Sequence, residues 1–362
     1  MGLSKEPAVY SRIPGIPAVC ETDNHHELHP RRTMNKKSLD YVLRSGLAGG
    51  LAGCAAKTLI APLDRVKILF QTSNPQFAKY SGQWLGVWHA ARDIHDQFGI
   101  SGLFKGHAMT LLRIFPYAAI KFVAYEQFRA ILIPSDRDEV PWRRFAAGSL
   151  AGMTTVFFTY PLEVIRVRLA FETRQRKVSI RDICREMFNE RVQPLGAARD
   201  AQRSPVLWRT GIANFYRGFS PTLAGMLPYA GMSFMAYDWV TDLLYDPRIS
   251  RYTMAKDTNE GDTRQTRPPL YAWAKLTAGG FAGMLSQTAS YPLEVIRRRM
   301  QVSGAVGTGK SVGFWECGRE IMKTKGITGF YVGLTIGYIK VVPMVACSFY
   351  VYERSKHLLE ID

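Results

Sequence analysis

The sequence predicts an all-α membrane protein in which six transmembrane helices form three pseudosymmetric repeats, each with a short amphipathic helix. Three observations support this fold class. A Pro-Leu-acid-x-x-base motif occurs three times, at Pro62, Pro161 and Pro292. Each copy follows a Gly-rich apolar segment and precedes a second apolar segment that has its own proline. Internal repetition of this kind specifies an architecture more firmly than a single motif does.

The composition favours an anionic partner and disfavours an enzyme. The 362 residues include 47 Lys and Arg against 30 Asp and Glu, which gives a net charge of +17. Such an excess suits nucleic acid, anionic lipid or a phosphorylated or carboxylated substrate. The five cysteines show no C-x-x-C or metal-ligand spacing, and no phosphate loop or nucleophile elbow occurs. We therefore expect no catalytic residues, no metal and no cofactor.

The chain divides into a tail and three repeats. Residues 1–37 are polar and lack a long apolar run, which indicates a disordered tail without a secretory signal. The repeats are placed at 38–134, 140–246 and 269–360, with an exposed loop at 247–268. The two prolines of a repeat lie 54, 67 and 51 residues apart in the three repeats, so the second repeat has an insertion, placed at about 173–210.

Several apolar segments approach the length of about 20 residues that crosses a bilayer. The clearest are Leu39–Leu59, Arg144–Tyr160, Thr277–Tyr291 and Leu334–Tyr352. Ionisable residues inside the apolar segments should face a protein interior or a wet cavity, because charge is costly at membrane depth; these are Lys57, Arg113, Lys121 and Lys340. For Lys121 a structural and a functional role remain equally open. Amphipathic stretches at Gln83–Gln97, Ile180–Asn189 and Gly313–Lys323 are predicted to lie along the membrane surface.

A second element recurs later in each repeat, with the pattern Gly-x4-aromatic-x-Gly. It ends at Gly106, Gly218 and Gly333. With the proline motifs, this pattern resembles the mitochondrial carrier family over about residues 38–360. The resemblance implies a monomeric, multi-pass helical bundle in the mitochondrial inner membrane, with one central site opened alternately to either side. It also implies cardiolipin binding at the three glycines.

The resemblance further implies two gates. The charged residues of the proline motifs would form a matrix gate, comprising Asp64, Lys67, Glu163, Arg166, Glu294 and Arg297. Gln71 and Gln301 resemble the family's glutamine braces, whereas Ala170 takes that place in the second repeat, so at most two braces are expected. The cytoplasmic gate would comprise Tyr125, Glu126, Arg129, Tyr237, Asp238, Tyr352, Glu353 and Lys356. Thr241 replaces its third base, which predicts a weaker closure on that side.

Substrate contacts in this family lie on the even helices, about a dozen residues before the cytoplasmic acids. Counting back gives Arg113, the pair Gly225-Met226, and Lys340. A glycine followed by an aliphatic residue resembles nucleotide-type carriers, where it forms a flat slot for adenine. Lys57 resembles a basic residue of adenine nucleotide carriers, and three cations around such a slot suit a polyphosphate.

The phrases Gly225–Gly231 and Lys340–Pro343 are most similar to the coenzyme A carrier and Graves disease carrier group of that family. Coenzyme A, or its exchange against an adenine nucleotide, is therefore the predicted substrate. Other adenine nucleotide carriers, of the ATP-Mg/phosphate or peroxisomal type, remain an alternative. A basic nucleic-acid-binding protein is a remote one, because no recognisable nucleic-acid motif occurs and apolar segments fill most of the chain.

Overall fold

The computed structural model describes residues 39–83, 85–134, 140–174, 178–190, 193–194, 211–247, 249–254, 270–305, 310–311 and 313–359. The predicted tail at 1–37 lies outside these residues. The described part is helical almost throughout, in an order that repeats three times. This order confirms the predicted all-α architecture of three repeats.

Each repeat contains two long membrane passes with a surface helix between them. The six passes are counted along the chain, so the first pass of each repeat is called an odd helix and the second an even helix, whatever their α labels. In the first repeat these are α1 (Leu39–Gln71), α2 (Gly86–Leu103) and α3 (His107–Leu132). In the second they are α4 (Pro141–Phe171), α5 (Ile180–Asn189) and α6 (Phe219–Leu244), followed by the short α7 (Ser250–Thr253). In the third they are α8 (Ala272–Val302), α9 (Phe314–Lys325) and a pass divided into α10 (Leu334–Ile339) and α11 (Val341–Leu358).

Three stretches of the described chain are both long and apolar enough to cross a membrane: Arg44–Gln71, Gly86–Leu132 and Ile327–Leu358. The helices α4, α6 and α8 have 31, 26 and 31 residues. At about 1.5 Å per residue, each of them also exceeds the roughly 30 Å of a bilayer core.

The long helices continue well past the apolar segments that the sequence shows. Pro62, Pro161 and Pro292 lie inside α1, α4 and α8 rather than at their ends. The apolar segments that end at Leu59, Tyr160 and Tyr291 are therefore only the first parts of longer helices. An internal proline removes one backbone hydrogen bond, and a packed neighbour can compensate for that loss. The third even pass is instead interrupted at Lys340, and Pro343 lies in the first turn of α11, where a missing N–H removes no helical bond.

The three surface helices cover the ends of the odd helices. Each buries one apolar face: Ile94 of α2 packs with Leu69 of α1, and Ile183 of α5 packs with Val164 of α4. Ile321 of α9 packs with Val295 of α8 in the same way. The bounds of α5 agree with the sequence prediction, and its start is fixed by a capping box between Ser179 and Asp182. The helices α2 and α9 are shifted by up to six residues.

The three repeats close into a ring through contacts between neighbouring repeats. The most extensive packing joins α3 to α4, α6 to α8, and α11 back to α1. The odd helices α1, α4 and α8 also contact one another. Each even helix begins at a glycine in the left-handed region, with φ of 85°, 78° and 83° at Gly106, Gly218 and Gly333. All three glycines contact an odd helix of another repeat.

Two short pairings connect loops. Strands β1 (Gln193–Pro194) and β2 (Lys310–Ser311) are parallel and join the segment after α5 to the segment after α8. A bridge between Met254 and Leu270 closes the base of the connection between the second and third repeats. The predicted insertion at 173–210 includes α5. Most of its other residues, and most of the loop at 247–268, lie outside the described residues.

Candidate functional site

The charged residues of the three proline motifs meet where the odd helices converge. Arg166 Nη2 lies 3.0 Å from Asp64 Oδ2, and Lys67 Nζ lies 3.0 Å from Glu294 Oε1. Arg297 pairs with Glu163. The structure thus brings together all six residues of the predicted matrix gate, which we call the gate ring.

Each ion pair of the gate ring joins two different repeats. The acid and the base of one motif are three residues apart, so both face the same side of their helix. The base nevertheless pairs with the acid of a neighbouring odd helix. The side chains are largely withdrawn from water, with Glu163 only 4% exposed. A buried pair of this kind is costly to break by removing one partner, whereas an exposed pair contributes little.

The two predicted glutamine braces lie beside the gate ring. Gln71 donates to Glu294 Oε1 at 3.2 Å and to Tyr291 Oη at 3.0 Å. Gln301 donates to Tyr160 Oη at 3.1 Å and accepts from Arg298 at 3.0 Å. Each tyrosine immediately precedes a motif proline. The sequence did not reveal that these tyrosines are the hydrogen-bond partners of the glutamine braces.

We call the contact between two neighbouring odd helices a joint. The joint between α1 and α4 lacks both partners of a brace. Ala170 stands at the glutamine position, and Ala61 stands where the other motifs have tyrosine. Both alanines line one small cavity between α1, α3 and α4, together with Asp64 and Arg166. The joint between the first and second repeats therefore depends on its ion pair, whereas the other two joints have a tyrosine–glutamine pair as well.

Additional cations bind the acids of the gate ring. Arg113 Nη1 lies 2.9 Å from Glu163 Oε2, and Lys340 Nζ lies 2.8 Å from Asp64 Oδ1. Arg298 Nη1 also lies 3.0 Å from Glu163 Oε1, a contact that the sequence did not reveal. Lys57 donates to Met344 Sδ at 3.6 Å and lines the small cavity beside Asp64.

The described residues of this region contain more cations than carboxylates. The acids are Asp64, Glu163 and Glu294. The cations counted are those that pair with these acids, namely Lys67, Arg113, Arg166, Arg297, Arg298 and Lys340, together with the predicted contact Lys57 in the small cavity beside Asp64. After one base is assigned to each acid, four cations remain. Three of them are the predicted substrate contacts Lys57, Arg113 and Lys340, and the fourth is Arg298.

The predicted pair Gly225-Met226 lies on the opposite side of the ring from Lys57. It lines a cavity of about 440 Å³ between α6 and α8. The other lining residues are Pro221, Thr222, Tyr229, Ala230, Ser290, Glu294, Arg297 and Arg298. An apolar slot and two arginines therefore share one cavity next to the gate ring.

The residues of the predicted cytoplasmic gate lie at the far ends of the even helices. Their acids Glu126, Asp238 and Glu353 are exposed, in contrast to the buried acids of the gate ring. Lys356 Nζ lies over the Tyr352 ring at 5.9 Å. The Tyr125 and Tyr237 side chains precede their acids on α3 and α6, and Arg129 lies one turn after Glu126. The hydroxyl of Thr241, at the place of the third base, is buried and has no hydrogen-bond partner within the described part of the chain.

The three glycines predicted to bind lipid have two structural roles. A Cβ at Gly106 would lie 2.8 Å from Arg166 O, and one at Gly218 would lie 3.0 Å from Arg297 O. These glycines therefore permit close packing as well as a left-handed turn. Gly333 also lines a cavity of about 730 Å³ between the first and third repeats, beside Gln83 and Lys325.

A buried charge cluster in the second repeat was also missed by sequence reasoning. Arg168 contacts both carboxylate oxygens of Glu190 at 2.9 Å, and Arg217 contacts Glu190 at 2.7 Å. Arg168 also donates to Gln301 O at 2.7 Å. Glu190 ends α5 and Arg217 precedes α6, so this cluster holds the surface helix against both long helices. The long insertion between Glu190 and Arg217 concealed the relationship.

Comparison with known proteins identifies the family. A model of the family described as "Mitochondrial carrier protein" matches residues 39–136, 137–248 and 268–362. "Mitochondrial carrier protein LEU5" of Saccharomyces cerevisiae is 50% identical over 90% of this chain and 93% of its own length. "Solute carrier family 25 member 16" of Bos taurus is 37% identical over 89% and 90%, and "Mitochondrial coenzyme A transporter SLC25A42" of Danio rerio is 34% identical over 88% and 88%. The three matched segments coincide with the three structural repeats, and the chain belongs to the mitochondrial carrier family.

Proposed function

We propose that this mitochondrial carrier transports coenzyme A, or a related adenine nucleotide, across the mitochondrial inner membrane. A single central site would be exposed alternately to either side, as is usual for transporters built from structural repeats. One chain completes the ring of three repeats, so we propose that it acts as a monomer. The carrier function follows from the family, whereas the substrate is argued from the site.

The observation that carries the proposal is the excess of four cations around the gate ring. They come from α1 (Lys57), α3 (Arg113), α8 (Arg298) and the break between α10 and α11 (Lys340). An unbalanced positive cluster at membrane depth is unfavourable without a counter-charge. Coenzyme A bears a diphosphate and a ribose phosphate, with roughly four negative charges. A polyphosphate substrate therefore matches this site in charge.

The apolar side of the site suits a flat base. A Cβ at Gly225 would meet only Leu293, at 3.6 Å, which is ordinary contact. Packing within the protein therefore does not require glycine at this position, and the missing side chain leaves space beside Met226. The relative from Danio rerio is named as a coenzyme A transporter, which supports adenine-containing coenzyme A as the ligand of this slot.

The same cations would couple substrate binding to gate opening. Arg113 and Lys340 bind Glu163 and Asp64. A phosphate that attracts them would weaken their hold on these acids, and the gate ring would lose part of its stabilisation. A ligand shifts a conformational equilibrium only through such differential contacts. We propose that the substrate favours opening of the matrix gate in this way.

Cardiolipin is the proposed lipid partner. The cavity beside Gly333 is lined by Lys325, Gln83 and Thr335 and lies next to the first turn of α10. A helix N-terminus with free N–H groups and a nearby cation suits a phosphate headgroup.

Uptake into liposomes tests the proposed substrate. The full chain would be reconstituted with cardiolipin, and the liposomes loaded with coenzyme A, ADP, ATP-Mg or phosphate. Saturable uptake of labelled coenzyme A against an internal adenine nucleotide is expected. Uptake of ATP-Mg against phosphate without any coenzyme A uptake would instead support the alternative adenine nucleotide carrier, whose substrate would use the same slot and cations.

A further inference from the structure

Three consecutive arginines on α8 have three different surroundings. Arg297 pairs with Glu163 in the gate ring. Arg299 Nη2 donates to Ser73 Oγ at 2.8 Å, away from the central site. Arg298 contacts Glu163 and Gln301 Oε1, both at 3.0 Å. Since Glu163 also holds Arg113 and Arg297, it does not need Arg298 to be neutralised.

Arg298 lines the same cavity as the apolar slot. That cavity contains Gly225 and Met226 on one wall and Arg298 on another, within about 440 Å³. The side chain of Arg298 retains 14% exposure, and its buried Nε atom has no hydrogen-bond partner among the residues that the structure describes. Its guanidinium thus has unused donor capacity next to a cavity that it lines.

The other three surplus cations lie elsewhere. Lys57, Arg113 and Lys340 are described residues, and the lining of this cavity does not include them. They bind or adjoin Asp64 and Glu163, on helices α1, α3 and the α10–α11 break. If the base of a nucleotide lay in the slot, a phosphate on the adjoining ribose would lie in the same cavity. The longer phosphate chain would extend toward Lys57, Arg113 and Lys340.

We propose that Arg298 binds the ribose 3′-phosphate of the substrate while the base occupies the Gly225-Met226 slot. This inference rests on the proposed function and deepens it by naming the residue that reads one phosphate group. The 3′-phosphate branches from the sugar next to the base, whereas the 5′-diphosphate extends away from it. A guanidinium can contact two phosphate oxygens at once, a geometry that a lysine cannot reproduce.

The consequence is a preference for coenzyme A over 3′-dephospho-coenzyme A. A site that provides a charged donor for one group discriminates against an analogue that lacks this group, because the donor is left unpaired. Without Arg298 the two compounds should become nearly equivalent, since they share the base, the diphosphate and the pantetheine arm.

The test compares KM for coenzyme A, 3′-dephospho-coenzyme A and ADP in liposomes containing the full chain. Arg298→Gln should raise KM for coenzyme A by at least about tenfold and change KM for the other two much less. Arg298→Lys keeps the charge and should give an intermediate value for the ratio of KM for 3′-dephospho-coenzyme A to KM for coenzyme A. Arg299→Gln is the matched control, because it changes the adjacent arginine outside the cavity and should keep the wild-type ratio. Thermal stabilisation of the detergent-solubilised protein by each compound gives a second measure that does not depend on transport.

The outcomes separate this inference from the proposed function. An equal loss for coenzyme A and 3′-dephospho-coenzyme A in Arg298→Gln would show that Arg298 serves only the gate ring and would overturn the inference. Absence of coenzyme A uptake by the wild-type carrier would overturn the proposed function itself. Wild-type uptake with a ratio that collapses in Arg298→Gln supports both.

Discussion

Glu163 is the residue on which the gate ring most depends. Three arginines from two other helices converge on its carboxylate: Arg113 from α3, and Arg297 and Arg298 from α8. An ionised carboxylate offers about four acceptor positions, so it can hold this many donors. The arrangement holds α3, α4 and α8 together. In our proposal, Arg113 and Arg298 also bind the anionic substrate, so Glu163 would link the gate to the substrate site.

Cys317 lies on the surface helix α9, outside the membrane-spanning segments, and its side chain is buried. Burial raises the pKa of its thiol from 9.0 to about 11. In a variant in which the other four cysteines are alanine, a maleimide at pH 7.5 should label Cys317 very slowly in the folded carrier, because thiolate is the reactive form. Labelling should become rapid after unfolding in detergent.

The raised pKa also has a consequence for stability. Because the folded state disfavours the thiolate, the buried protonated thiol contributes to the free energy of unfolding. This contribution is fully present below about pH 9 and decreases as the pH rises toward 11. Fast labelling of the native protein at pH 7.5 would contradict the burial of Cys317 against α8.

At the scale of helices, the three joints of the ring are unequal. Tyr291 with Gln71 and Tyr160 with Gln301 reinforce two joints, whereas Ala61 and Ala170 leave the joint between α1 and α4 without such a pair. Tyrosine and glutamine are replaced together because neither would have its partner alone. The joint between α1 and α4 should therefore separate first when the matrix gate opens.

Gln71→Ala tests the value of a brace. The substitution removes hydrogen bonds to Glu294 and Tyr291, of which the bond to the carboxylate contributes about 1.5–3 kcal/mol. The melting temperature in mild detergent should fall. Gln97→Ala is the control, because Gln97 is exposed and bonds only to Asp93 on the surface helix. Equal melting temperatures for the two variants would contradict a bracing role for Gln71.

Gly333→Ala tests the start of the sixth pass. Gly333 has φ of 83°, and an added Cβ would lie 3.2 Å from Tyr291 Oη. The left-handed conformation alone costs about 1–2 kcal/mol for a residue with a side chain, so the variant should be less stable than the wild type. Gly280→Ala, in α8 with nothing near the added carbon, should be neutral or slightly stabilising. A stable Gly333→Ala carrier would refute the need for glycine at this turn.

The whole molecule shows which features a sequence can reveal. The three repeats were predictable because the Pro-Leu-acid-x-x-base motif recurs, and recurrence survives changes elsewhere. The full lengths of the long helices were not, since the helices continue past Pro62 and Pro161, where packed neighbours compensate for the lost hydrogen bond. The surroundings of Arg298, on which its proposed role rests, were hidden because it differs from Arg297 and Arg299 only in the direction it faces, which depends on packing. For the same reason the pairing of Gln71 with Tyr291, which joins the first repeat to the third, could not be deduced from spacing.

The whole ring also combines a closed and an open end. The gate ring is buried and fully paired, whereas the acids Glu126, Asp238 and Glu353 at the other end are exposed. In the orientation that we propose, with the gate ring facing the matrix, the structure corresponds to a carrier closed on that side. Substrate phosphates that enter from the other side would meet Arg113 and Lys340 at the floor of the site, already bound to acids of the gate.

The central claim is that cations held by the gate ring also bind the substrate. The most direct test is the initial rate of labelled coenzyme A uptake into liposomes by the wild type, Lys340→Ala and the control Lys323→Ala, which alters an exposed lysine of α9. We predict saturable uptake by the wild type and the control, and a loss of at least about tenfold in Lys340→Ala. Near-normal uptake by Lys340→Ala would contradict the claim.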